Sequence, residues 1–152
     1  MHTQLMNETF HLLQAECSPK AGITLDIDWA DMLVAESLLN SYDLAYERKL
    51  HLLALYTVLT LATSRHKDCH QSDLNLTRKV LDGDYLYSLY IQLALQFKEF
   101  DLISFLAPHI KKWQIRWAEG HSEVELLTTC LEQFLNIEFQ RNANCATVEQ
   151  VG

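Results

Sequence analysis

The sequence has little of what usually marks an active site or interrupts a helix. Four glycines and two prolines are spread over 152 residues, and no glycine-rich phosphate-binding loop is present. Basic residues are also scarce, because twelve of them stand against twenty acidic residues and leave a net charge of −8. A field of that sign repels phosphate backbones, so we expect no nucleic-acid partner.

Cysteines and sorting signals are sparse as well. The four cysteines show no paired spacing, which predicts reduced thiols rather than a disulfide scaffold. The N-terminus lacks the basic start and continuous apolar core of a signal peptide. The longest apolar run, Leu50–Thr63, is well below the roughly 20 residues that span a bilayer. We therefore expect a cytoplasmic protein with no transmembrane segment.

Apolar residues recur at helical rather than alternating spacing along nearly the whole chain. This pattern predicts an all-α fold, a single-domain bundle of about six helices formed by residues 1–141, followed by a disordered tail at 142–152. The predicted helices cover approximately residues 6–17, 26–40, 43–64, 72–97, 100–120 and 122–141.

Several residues mark the expected ends of these helices. Ser72 or Asp73 is expected to cap the fourth helix, and the sequence 122–125 has the form of a capping box that opens the last one. Pro108 either kinks the fifth helix or opens its second half. Gly120 suits the C-terminal cap of that helix.

Two of the predicted helices are apolar on almost every side. These segments are Leu50–Thr63 and Tyr85–Phe97. A helix that is apolar all round must be covered all round, and a chain of this size has room for one central helix. We therefore expect the second helix to find its cover on another chain. Its tyrosines fit that expectation, because tyrosine is enriched at protein interfaces.

The sequence Asp82-Gly83-Asp84 raises the question of a metal site. Two aspartates two residues apart on a regular helix point about 200° apart, so they cannot chelate one ion together. The favoured interpretation is that Gly83 lets a neighbouring helix come close, while the aspartates cap the helix or face solvent.

Two further clusters have a structural and a chemical interpretation. Asp26, Asp28 and Asp31 lie where a helix is expected to begin, which favours capping over catalysis. Residues 66–70 place two histidines and a cysteine in one predicted loop. Zinc usually takes four ligands and no second cluster has ligand spacing, so an ordinary polar loop is favoured.

A small basic face on the fifth predicted helix is the last candidate. Lys111, Lys112 and Arg116 lie opposite Trp113 and Trp117 and could meet a diphosphate or an acidic partner. Cations in water near a helix C-terminus are the favoured interpretation. The residues alone predict no catalytic site and no metal site in this chain.

The tyrosine-rich helix carries a resemblance to a known family. The stretch Val80–Leu93, VLDGDYLYSLYIQL, is similar to the "GDYL…LYYQLL" segment of component I, the small subunit of two-component bacterial hexaprenyl and heptaprenyl diphosphate synthases. Phe100–Ser104 and Ile110–Lys112 resemble the helix that follows in that family. The resemblance covers about Thr77–Trp117 and implies part of the isoprenoid synthase fold.

The resemblance implies a non-catalytic half of a heteromeric enzyme. Such synthases add isopentenyl diphosphate units to farnesyl diphosphate and make the side chain of menaquinone. Their large subunits carry two DDxxD motifs that bind the diphosphate through Mg²⁺. This chain has no DDxxD, and Thr63–Lys67 stands where helix order would place the first motif. Catalytic residues and Mg²⁺ are therefore expected in the large subunit, and this chain itself is expected to hold no cofactor.

The resemblance also implies where the two subunits meet. Its GDYL helix belongs, in the catalytic relatives, to the region where two subunits pack. The small subunit is then expected to stabilise the active large subunit, to restrict the product tunnel, or to aid release of the long prenyl product, which it would contact. The residues predicted to form the partner interface, or the core behind it, are Tyr85, Tyr87, Tyr90, Ile91, Phe97, Phe105 and Trp113.

Two alternatives remain open from the sequence. The apolar helix also suits a helical adaptor or a homodimeric interaction module with no role in isoprenoid chemistry. A small-molecule-binding bundle lined by Leu55, Leu59 and Tyr90 is the other alternative, although no convergent polar groups support it.

Overall fold

A computed structural model describes residues 1–69, 74–121 and 126–151. The described part is all-α and forms one bundle of six α-helices, as predicted. The helices are α1 (Gln4–Glu16), α2 (Trp29–Asn40), α3 (Tyr46–Lys67), α4 (Leu76–Gln96), α5 (Phe100–Ala118) and α6 (Leu127–Val151). None of these helices is long and apolar enough to cross a membrane.

Helix α3 is the centre of the bundle. Every residue from Leu52 to Leu59 is buried, which is the environment predicted for a helix that is apolar on all sides. Helices α1, α2 and α4 pack directly around it, and α4 makes the most extensive contact. Helix α5 packs against α4 and α6, and α6 also contacts α2 and α3.

The described helix ends follow the local sequence. Asp28 caps α2, because the Asp31 backbone N–H donates to its Oδ1 over 3.1 Å. Gly120 follows α5 with φ +85°, the left-handed conformation expected of a glycine after a helix. Helix α5 runs unbroken through Pro108, so that proline does not open a second helix.

Two predicted boundaries are corrected. Helix α4 begins at Leu76 after Asn75, and the caps predicted within residues 70–73 and 122–125 lie outside the described residues. The last helix was expected to end near Arg141 with an irregular tail after it, but α6 continues to Val151. No glycine or proline follows Gly120 until position 152, so nothing in the sequence stops that helix.

The connection from α1 to α2 is extended rather than helical. Between Gly22 and Asp28 the side chains alternate, and Ile23, Leu25 and Ile27 pack against the core while their neighbours face outward. This alternation departs from the helical spacing that we assigned to nearly every segment.

Side chains from α3 and α4 hold this connection. The Arg65 guanidinium donates to the Thr24 carbonyl over 3.0 Å, and that of Arg78 donates to the carbonyls of Ala21 and Gly22, each over 2.7 Å. The backbone path therefore depends on side chains that are distant in sequence.

One arginine joins three helices at the other end of the bundle. Arg48, in the first turn of α3, pairs with Glu99 over 2.9 Å and with Glu138 of α6 over 2.6 Å. Glu99 directly precedes α5 and is only 7% exposed. Hydrogen bonds to Glu138 and then Glu99 raise the pKa of Arg48 above its ordinary value, so the guanidinium stays charged between the two carboxylates.

Candidate functional site

Helix α4 has one packed face and one open face. Leu86, Leu89 and Leu93 lie on the packed face and are at most 3% exposed. On the open face, Leu81 is 59% exposed and Leu95 is 52% exposed. Seven-residue spacing places Leu81, Ser88 and Leu95 in one line along the helix, which we call the α4 outer line.

The structure places two of the predicted interface residues in the core of this chain. Tyr90 is 1% exposed and Trp113 is 3% exposed, so neither ring reaches a partner in this conformation. Tyr90 belongs to the packed face because it stands two turns after Gly83 and one turn after Leu86. Tyr90 and Trp113 are therefore core residues of this chain, which is one of the two positions predicted for this set.

The other five residues of this set are half-buried, and four of them have specific contacts within the chain. The Tyr85 hydroxyl accepts a hydrogen bond from the Ser18 backbone N–H over 2.8 Å. The Phe97 ring stacks on His51 with centroids 3.8 Å apart.

The third of these residues is Phe105, whose ring lies 5.7 Å from that of Phe134. The fourth is Tyr87, whose ring lies 5.9 Å from that of Tyr90. Ile91 lies on the side of α4 that borders the outer line. Their assignment to a partner interface, like that of the other three, stays a prediction.

Leu81 and Leu95 were not among the residues predicted from the sequence. Tyrosines were selected there by their enrichment at interfaces, whereas the open face of α4 carries two leucines fourteen residues apart. That spacing is the pattern that fits the groove of a second helix. Ser88 between the two leucines is small and allows a helix to approach closely.

Gly83 has the role that the sequence favoured. A methyl group built on it would lie 2.4 Å from Cδ2 of His66, so α3 and α4 are close at this point. Asp84 pairs with His66 over 2.9 Å, and Asp82 pairs with Arg78 over 2.8 Å. The two aspartates therefore point to different partners and share no ligand.

The aspartates before and within α2 also have separate partners. Asp26 pairs with Arg65 over 3.1 Å, and Asp28 is the helix cap described above. Asp31 accepts the Tyr56 hydroxyl on both carboxylate oxygens, at 2.9 and 2.8 Å. Burial and this carboxylate raise the pKa of Tyr56 above its ordinary value, so the phenol remains a hydrogen-bond donor.

The two remaining clusters take ordinary positions. Within residues 66–70, the Cys69 thiol donates to the Arg65 carbonyl, while His70 lies outside the described residues. Lys111 and Lys112 are exposed on α5. Across residues 1–69, 74–121 and 126–151, no three His, Cys, Asp or Glu side chains converge as metal ligands would.

The proposed small-molecule pocket is too small in this conformation. Leu55, Leu59 and Tyr90 do line one internal cavity, together with residues of α5 and α6, but its volume is about 10 Å³. That is about the space of one water molecule and far below the several hundred Å³ of a ligand pocket.

The Tyr90 hydroxyl beside this cavity predicts an unusual stability effect. It is buried and has no hydrogen-bond partner among the described residues, so Tyr90→Phe removes an unpaired polar group. We expect the free energy of unfolding to rise by about 1 kcal/mol. Tyr56→Phe is the matched control and should lower it by about 1 kcal/mol, because it removes the hydrogen bonds to Asp31. Urea unfolding of both variants measures the two changes in unfolding free energy. Equal losses of stability would contradict the conclusion that the Tyr90 hydroxyl is unpaired.

The comparisons with protein-family models, curated proteins and solved structures each found no match for this chain.

Proposed function

We propose that this chain is the non-catalytic small subunit of a heteromeric all-trans polyprenyl diphosphate synthase that makes the side chain of menaquinone in the cytoplasm. The observation that carries the proposal is the α4 outer line. The helix with the GDYL resemblance, Gly83–Leu86, uses one face to pack on α3 and leaves leucines exposed along the other. Two exposed leucines fourteen residues apart, with the small Ser88 between them, suit the groove of a partner helix.

The end of α3 also supports a non-catalytic role for this chain. Thr63–Lys67 stands where helix order would place the first DDxxD motif, and two of its basic residues are engaged within the chain. Arg65 pairs with Asp26 and His66 pairs with Asp84. In the proposed enzyme, the large subunit supplies the carboxylates, Mg²⁺ and both diphosphate sites. This chain supplies a helical surface that stabilises the active large subunit or shapes the path of the long product.

A prenyl-elongation assay tests the proposal. Farnesyl diphosphate, labelled isopentenyl diphosphate and Mg²⁺ are supplied to this chain alone, to a DDxxD-bearing large subunit from the same genome, and to their mixture. We expect long product only in the mixture. Large-subunit activity that this chain leaves unchanged would contradict the proposal.

A helical adaptor is the second candidate, and one observation favours it. Leu33 and Val34 on α2 are 48% and 57% exposed, respectively, so the chain has an apolar surface away from α4. An adaptor that joins two partners needs two such surfaces. The elongation assay separates the candidates, because an adaptor would not change the product.

A further inference from the structure

The second half of α6 is a helix without tertiary packing. Its first half is held in the bundle by Cys130, Leu131, Phe134 and Leu135, which are all buried. From Arg141 to Glu149 every residue is exposed. A single helical stretch of this length is marginal in water, because most helical stability in proteins comes from packing against other elements.

The charges of this segment are arranged symmetrically. Arg141 and Glu149 are the only charged residues after Glu138, and they stand one helical turn before and after Cys145. Residues at i and i+4 share a face, so both charges lie on the same side of α6 as Cys145. We call this side the Cys145 face.

The symmetry fits a second copy of this chain in antiparallel orientation. A two-fold axis at Cys145 brings the Arg141 of each copy opposite the Glu149 of the other and forms two ion pairs. The same axis brings the two Cys145 thiols together. Parallel pairing would instead set Arg141 against Arg141 and Glu149 against Glu149, which is repulsive.

A cleft continues the same face towards the bundle. It has a volume of about 520 Å³ and lies between α5 and α6, with Phe105 and Ile137 among its lining residues. Arg141 and Asn142 form its edge on α6. In the antiparallel pair the Val148 of the second copy, 72% exposed in one chain, arrives at Asn142 and meets this edge. The end of the second helix thus contacts the edge of the cleft at each end of the pair.

We propose that the Cys145 face is a homodimer interface in which two α6 helices pair antiparallel about a two-fold axis. Two half-helices bury less than the roughly 1,200–2,000 Å² of a stable complex, so the dimer is reversible. This interface lies on α6 and does not depend on the α4 outer line. A complex that used both would contain two copies of each subunit.

Charge reversal tests the pairing. Sedimentation equilibrium of the full chain should show a monomer–dimer equilibrium that weakens about tenfold in Arg141→Glu and in Glu149→Arg. In a dimer of either single variant, residues 141 and 149 carry the same charge, so both ion pairs become repulsive. The double variant restores both pairs with reversed polarity, and its dimerisation constant should return to within about threefold of the original. A double variant as weak as the single ones would overturn the proposal, as would a monomer at all concentrations.

Disulfide trapping tests the register. Mild oxidation should link the dimer through Cys145, and Cys145→Ser should prevent the link without changing the dimerisation constant. Cys17 and Cys69 are half-buried in the bundle and provide the internal control. Linkage through either of them, or a dimer that Cys145→Ser leaves fully crosslinked, would overturn the antiparallel register.

Discussion

Replacing Leu81 and Leu95 together with aspartate is expected to prevent this chain from assembling with the proposed large subunit. Both side chains are more than half exposed, so the fold should lose less than about 0.5 kcal/mol of stability. In a complex, however, each aspartate would place an unpaired carboxylate in a desolvated contact. We expect affinity to fall about 100-fold or more. Titration calorimetry or a pull-down with the large subunit measures this, and elongation activity should fall in parallel.

Leu33→Asp on α2 is the matched control for that experiment. Leu33 is 48% exposed, close to the value for Leu95, but it lies on a different helix. It should leave assembly and elongation unchanged. If Leu33→Asp abolished binding and the α4 double variant did not, the partner surface would be on α2 and the α4 assignment would be wrong.

Replacing Arg48 with methionine is expected to cost about 2 kcal/mol of unfolding free energy. The substitution removes the guanidinium that neutralises the carboxylates of Glu99 and Glu138, so the two negative charges repel each other. Glu99 is nearly buried, so water cannot solvate its charge in place of Arg48. Losing one partner of a fully buried pair costs more, about 3–5 kcal/mol. The Arg48 side chain is 31% exposed, so the lower figure applies. Urea unfolding at neutral pH measures the loss.

The neighbouring cation provides the control for Arg48. Lys49 makes one exposed hydrogen bond, to Asn40 over 3.0 Å, and Lys49→Met should change stability by less than about 0.5 kcal/mol. Adding Glu99→Gln and Glu138→Gln to Arg48→Met should recover part of the loss, because it removes the repulsion between the two carboxylates. Equal losses for Arg48→Met and Lys49→Met would contradict the role of the three-helix ion pair.

The sequence predicted the helices well because their periodicity and caps are local properties. Asp28 and Gly120 mark helix ends through their own backbone and side-chain chemistry, and the all-round apolar character of α3 requires a central position. The end of α6 was missed because no residue there stops a helix. The extended connection was missed because three alternating residues, Ile23, Leu25 and Ile27, are a short signal beside longer helical patterns.

The open face of α4 was harder to predict because α4 is apolar on nearly every side. Periodicity identifies the packed side of a helix only when the other side is polar. Gly83 identifies the packed side of α4, because α3 comes close to α4 at this residue. Tyr90 lies on the same side of the helix as Gly83 and is therefore buried. The face opposite Gly83 then carries Leu81 and Leu95. The identity of a partner cannot follow from such patterns, because they describe only one side of an interface.

The anchoring of the α1–α2 connection has a consequence for the order of folding. Helices α3 and α4 are adjacent in sequence and make the most extensive contact in the bundle, so they can pair early at low cost in loop-closure entropy. The connection depends on Arg65, Arg78 and Tyr85, and these donors and acceptors are in position only once α3 and α4 have paired. We therefore expect the connection between α1 and α2 to reach its native path only after α3 and α4 have paired.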